Sequence, residues 1–234
     1  MPSLGEDRQT FMARVRAALQ REPDPQGDAV SPSEPPPVVP EELMRLASRD
    51  DDLIAMTMRN VEATGMKPQR CTRAELNQKL GELLDSLDPK PTRVVIPEAA
   101  LSRHFDVASV LDDRQLQRIE SSDGNFRAQF DADVGITDVR CVLAETGTLV
   151  MASDASHSRG PSLVPPVHIA IVKASDIVPD MLDFYAGLQG LPPAELPSSI
   201  AYVTGPSKTA DIEGVLVTGI HGPQAVHVLL VEDA

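Results

Sequence analysis

The sequence predicts an α/β fold built on a largely parallel or mixed sheet with helices on both faces. Three observations predict it. Before residue 90 the apolar residues recur at helical spacing. After residue 90 short apolar runs, separated by turn residues, take over. Two of those runs, His168-Ile-Ala-Ile-Val and Val226-His-Val-Leu-Leu-Val, are apolar at almost every position, the signature of strands covered on both sides.

In chain order, residues 6–21 place Phe11, Val15, Ala18 and Leu19 on one helical stripe among Arg14, Arg16 and Arg21. Prolines at 23, 25, 32, 35, 36, 37 and 40 forbid helix or central strand and make residues 23–40 an extended linker. The expected organisation is therefore an N-terminal helical arm and linker, 1–40, followed by one α/β domain, 41–234. A helix is expected from Glu41 to Thr64, opened by Pro40 and two glutamates and stopped by Gly65. Another is expected over 72–87, where Thr72 and Glu75 have capping-box spacing. Expected strands are 92–96, 134–137, 139–144, 147–152, 167–172, 200–204, 215–220 and 226–231. A helix is expected over 175–188. The last two strands, joined by His221-Gly-Pro-Gln, read as an edge hairpin.

Composition narrows the function. A net charge of -14 and an aromatic share of 3% disfavour nucleic acid and anionic membranes as partners. No apolar run reaches the roughly 20 residues that span a bilayer. The start, Met1-Pro-Ser-Leu-Gly-Glu-Asp, has no apolar leader core, so the expected location is cytoplasmic. The two cysteines, Cys71 and Cys141, lie far apart and are expected as free buried thiols. No histidine or carboxylate spacing suggests a metal site.

Four segments carry candidate chemistry. In Ala144-Glu145-Thr146-Gly147-Thr148, Glu145 can act as a base, with Thr146 and Thr148 as hydrogen-bond donors; an ordinary turn has the same pattern. In His157-Ser-Arg-Gly-Pro-Ser, Arg159 is the fixed positive charge and can clamp both oxygens of a carboxylate or phosphate. Thr204-Gly-Pro-Ser-Lys-Thr reads as strand, loop and short helix. Gly205 permits close backbone approach, Ser207 or Thr209 caps the helix, and Lys208 adds charge. His221 follows an apolar strand and can serve as acid, base or ligand partner. His168 and His227, inside apolar strands, read as core or edge residues. Ligands of open α/β sheets bind at the carboxyl ends of strands, so these segments are expected to converge on one cleft.

Taken together, Val134-Gly-Ile-Thr, Leu143-Ala-Glu-Thr-Gly-Thr, Arg159-Gly-Pro-Ser-Leu-Val-Pro, Ile169-Ala-Ile-Val, Thr204-Gly-Pro-Ser-Lys-Thr-Ala-Asp-Ile-Glu and Gly219-Ile-His-Gly-Pro resemble the LUD-domain family in order and spacing. The resemblance implies a Rossmann-like sheet related to the sugar-phosphate isomerase and CoA-transferase fold. It implies a non-redox part in the oxidation of L-lactate to pyruvate. Iron–sulfur clusters would sit in companion lactate-utilisation subunits and no cofactor in this chain. The ligand would be a small carboxylate or phosphate. Two other readings remain open: a stand-alone isomerase or CoA/acyl-transferase using Glu145 on a phosphorylated or thioester substrate, and a non-catalytic scaffold.

Overall fold

The computed structural model describes residues 7–18, 45–97, 101, 105–121, 126–154, 157–193, 195–209 and 217–234. The proline-rich segment 23–40 and the expected helix start at 41–44 lie outside the described residues. The chain divides into two units, residues 1–43 and 44–234.

In the first unit, α1 (Arg8–Ala18) buries none of its residues. Asp7 caps it, its carboxylate accepting from the Gln9 and Thr10 amides and from the Thr10 hydroxyl. Those hydrogen bonds, the Thr10 hydroxyl's foremost, hold the Asp7 carboxyl below its ordinary value. Phe11 is exposed, with Arg14 5.8 Å above its ring.

The second unit is organised by a six-stranded sheet. Its members are β1 (Lys67–Cys71), β2 (Arg93–Ile96), β3 (Gln117–Glu120), β4 (Val134–Asp138), β7 (Val167–Lys173) and β12 (Ala225–Val231), and every neighbouring pair is parallel. The spatial order is β1-β12-β7-β4-β2-β3. Alternation along the strands makes two cores. Ile136, Ile169, Ile171, Leu229 and Val231 meet Leu76, Leu80, Leu83 and Leu84 of α3 (Leu76–Ser86) and Val107, Val110 and Leu111 of α4 (Val107–Asp113).

On the opposite face, Ala170, Val172, Val226 and Val228 meet Val61 of α2 (Leu53–Ala63) together with Val142 and Leu149. The last two belong to a second, smaller sheet of order β8-β5-β6-β9: β5 (Cys141–Leu143), β6 (Thr148–Ser153), β8 (Ile177–Val178) and β9 (Ser199–Val203). One side chain in two on β5 and β6 faces the main sheet. The others, Cys141, Leu143 and Val150, pack on Phe184 of α7 (Met181–Leu188). The expected α/β class holds, but much of this face is covered by strands, where the sequence suggested helix.

Several element expectations are corrected. The last two expected strands do not form a hairpin. Val217–Thr218 (β11) pairs with Lys208–Thr209 (β10), while β12 is central, between β1 and β7. Lys208–Thr209 is therefore extended, so Ser207 caps no helix there, while residues 210–216, where Thr209 would cap one, lie outside the described residues. The expected helix over 175–188 is interrupted, because Pro179 precludes the helical bond and Asp180 starts α7 by accepting from the Asp183 amide. In the same way Asp52 caps α2 and delays its start to Leu53. The pairing of Thr72 with Glu75 is present, but it closes a turn ahead of α3. Neither β8 nor β10 was anticipated, nor were two strands of the main sheet. β1 and β3 are the sheet's edges, rich in Lys67, Pro68, Arg70, Gln117, Arg118 and Glu120, and edge strands need no apolar alternation. His168 and His227 are buried, as core residues.

The turn that follows the small sheet lies flat on the main one. In α6 (Gly160–Leu163), the carbonyl of Pro161 approaches Gly135 of β4 so closely that a Cβ on Gly135 would stand 1.8 Å from it. Gly160 rests on the buried amide of Gln129 in α5 (Phe126–Phe130) in the same manner. We expect Gly135→Ala to cost about 3 kcal/mol by overpacking, read by chemical denaturation. A loss within error of zero contradicts this account of α6.

Candidate functional site

The order of the main sheet reverses beside β2. From β2 the chain moves outward to β3, then returns across β2 to β4. The carboxyl ends of β2 and β4 therefore diverge around a crevice, the place where open α/β sheets bind ligands. A cavity of about 280 Å³ lies there. Pro97 follows β2, Thr137 and Asp138 end β4, and Lys173 ends β7. The roof comes from the open end of the β5–β6 hairpin, Arg140 and Met151–Ser153, from Asp154, and from His157, Ser158 and Arg159 just ahead of α6.

Charge is concentrated in this cavity. Arg140, Arg159, Lys173 and, when protonated, His157 face Asp138, Asp154 and Asp176. The acids are already engaged. Lys173 Nζ lies 3.2 Å from Asp176. His157 Nδ1 lies 2.9 Å from Asp154 Oδ1, and Nε2 lies 3.4 Å from Asp138 Oδ2. Two carboxylates on the two ring nitrogens require both to carry protons, which makes the ring an imidazolium. The Asp138 hydrogen bond outweighs burial and, with Asp154, raises His157 to about 9. The loop is closed by backbone as well: the His157 amide donates to Asp154 Oδ1, and the Asp154 amide to the His157 carbonyl. Arg140 and Arg159 have no carboxylate partner among the described residues, and each lines the cavity.

Of the residues singled out in the sequence, Arg159 alone lines this cavity. The others gather at the opposite end of the sheet. Thr146 and Thr148 share a 2.7 Å hydrogen bond, and Thr148 reaches Thr204 at 2.8 Å. Glu145 is held through its backbone, its amide donating to the Pro179 carbonyl and its own carbonyl accepting from Asn60. Gly205, with φ +110°, lies against the Thr64 carbonyl, and Lys208 Nζ lies 3.6 Å from where a Gly65 Cβ would be. Thr209 is half-buried in β10. Ser207 braces the turn that carries exposed His221, its amide donating to Pro223 and its carbonyl accepting from Gly219. That turn precedes β12 and joins Pro166, which precedes β7, so His221 marks amino ends of strands.

The expected single cleft is thus two groups. Thr148 and Ser153 are the two ends of β6, and five steps of about 3.3 Å separate them by roughly 17 Å. Sequence reasoning missed Asp138, Arg140, Asp154, His157 and Lys173. The available signals were Asp138 at the end of a buried strand and His157 three residues after Asp154.

This geometry can be set beside known proteins. A LUD domain family model matches residues 54–231, which span the whole of the main sheet and its cavity. The chain belongs to the LUD domain family. Lactate utilization protein C of Bacillus licheniformis is 36% identical over 150 residues, 60% of this chain and 62% of that protein. Lactate utilization protein C 1 of Bacillus mycoides is 30% identical over 190 residues, 78% of this chain and 80% of that protein. The match with the first covers less than two thirds of its length. The crystal structure of a DUF162 family protein from Deinococcus radiodurans has the same fold, with a TM-score of 0.54 over 77% of this chain and 96% of that one, at 18% identity. Among the described residues of this LUD domain no helix is long and apolar enough to cross a membrane.

The raised value of His157 has a consequence for stability. Its ordinary value is 6.5 and its folded value about 9, so the native state binds the extra proton between them. The contribution is complete below about pH 6.5 and is lost as pH rises through 9. We expect the melting temperature of the wild-type chain to fall more between those limits than that of His157→Gln. Parallel curves contradict the paired imidazolium.

Proposed function

We propose that this LUD domain binds a small carboxylate, L-lactate or pyruvate, in the cavity at the carboxyl ends of β2 and β4, as a non-redox component of lactate utilisation. The observation that carries this reading is the pair Arg140 and Arg159, two guanidiniums beside one cavity with no acidic partner among the described residues, in a chain of net charge -14. A guanidinium meets a carboxylate with two parallel hydrogen bonds, and a preformed cationic site needs no large rearrangement to receive it. The cavity's size suits a ligand of a few heavy atoms. The relatives named for lactate utilization support this choice of substrate class.

Electron transfer belongs, in this reading, to companion iron–sulfur subunits. The thiols support that division. The sequence has two cysteines, Cys71 and Cys141, where a common cluster takes four thiolates, and burial pushes these two thiols up to about 11 and about 12.

Calorimetric titration of the full chain with L-lactate and with pyruvate tests the reading. Arg159→Ala and Arg140→Ala should each weaken binding about 10- to 100-fold, the worth of a charged hydrogen-bond pair. Unchanged affinity in both variants removes the cavity from consideration.

A further inference from the structure

We propose that His168, buried beneath the cavity, is a positioning residue that makes the Thr137 hydroxyl a hydrogen-bond donor to the bound anion. This rests on the carboxylate-binding reading of the cavity and names a further part of its recognition.

His168 in β7 and Thr137 in β4 project from the same face of neighbouring parallel strands. In the register, His168 stands beside Gly135 and Thr137 beside Ala170. Because Gly135 has no side chain, the imidazole can lean along the strand until its Nε2 is 2.9 Å from Thr137 Oγ1. The ring is fully buried, and its Nδ1 has no hydrogen-bond partner among the described residues. Thr137 is 3% exposed and lines the cavity, and His168 is the one partner its hydroxyl has among the described residues.

A neutral imidazole carries one proton, and two arrangements are open to it. With the proton on Nδ1, a buried N–H has no acceptor and Thr137 must donate to Nε2. With the proton on Nε2, the ring donates to Thr137 and leaves only a lone pair unmatched. An orphaned buried N–H is the rarer and costlier defect, so the second arrangement is favoured. Burial favours the neutral ring itself, holding His168 down at about 4. The Thr137 proton then turns away from the ring. The open direction is the cavity, where a hydroxyl proton beside Arg140 and Arg159 suits an anionic oxygen and does not suit a cation.

Nitrogen-15 NMR of the histidine-labelled full chain reads the tautomer directly. The expected spectrum shows a one-bond proton coupling at His168 Nε2 and none at Nδ1. On titration with L-lactate the Nε2 proton should shift downfield, because a Thr137 that donates becomes a stronger acceptor. In calorimetry Thr137→Val should weaken L-lactate about 10-fold, while Thr137→Ser stays within about 2-fold of wild type. A proton on Nδ1 overturns the proposal whatever the chain binds. Equal affinity of the Val and Ser variants overturns it as well. If wild type shows the Nε2 tautomer yet binds neither L-lactate nor pyruvate, the carboxylate reading is at fault and the proposal falls with it.

Discussion

One close approach organises the site: the backbone of the α6 turn lies directly on the main sheet because β4 carries glycine at position 135. Any larger residue would lift the turn away. With the Pro161 carbonyl seated there and Gly160 set against Gln129, the residues just ahead of the turn have little freedom. Ser158 and Arg159 are delivered over the end of β4, and Ser162 ties its hydroxyl back to the Arg159 carbonyl at 3.0 Å. The cavity's cation is thus placed by backbone packing, independent of any ion pair. Among the described residues its guanidinium has no acidic partner.

Electrostatics then work locally against the bulk of the molecule. The chain is strongly acidic, yet around the cavity each carboxylate is committed to His157 or Lys173. Asp138 and Asp154 hold a proton on the imidazole that solvent would otherwise remove near neutrality. The acids therefore organise the loop without cancelling the arginines. A distant acidic surface is screened beyond about 8–10 Å at physiological ionic strength, so the nearest groups decide what enters.

How much of this was legible in the sequence depended on burial. β7 and β12 announce themselves because both faces are covered and most residues are apolar, and β4 is short but buried along nearly its whole length. The period-2 alternation of β5 and β6 is equally plain once two layers must be served. β1 and β3 were silent because edges carry polar side chains and even a proline. The misread hairpin has the same root. A glycine-rich turn beside two apolar runs implies adjacency, but strand pairing is decided by the whole sheet, and β12 finds better partners in β1 and β7. The site was half legible. Arg159 stands out in its loop, whereas Asp138, Arg140, His157 and Lys173 come from separate segments that only the topology brings together. The Thr204–Thr209 and His221 segments drew attention through composition. They mark a tightly packed junction where Gly205 meets Thr64 and Ser207 meets Pro223. The family resemblance, carried by the motif set as a whole, agreed with the relatives found.

Amide proton–nitrogen spectra titrated with L-lactate decide most directly which end of the sheet receives the proposed ligand. Shifts confined to Thr137–Arg140, Met151–Asp154 and Ser158–Ser162, with the Glu145–Thr148 turn and the Gly205–Lys208 segment unmoved, are what the carboxyl-end cavity requires. Shifts centred on Glu145, Gly205 and His221, with Arg159 and its neighbours still, would contradict it.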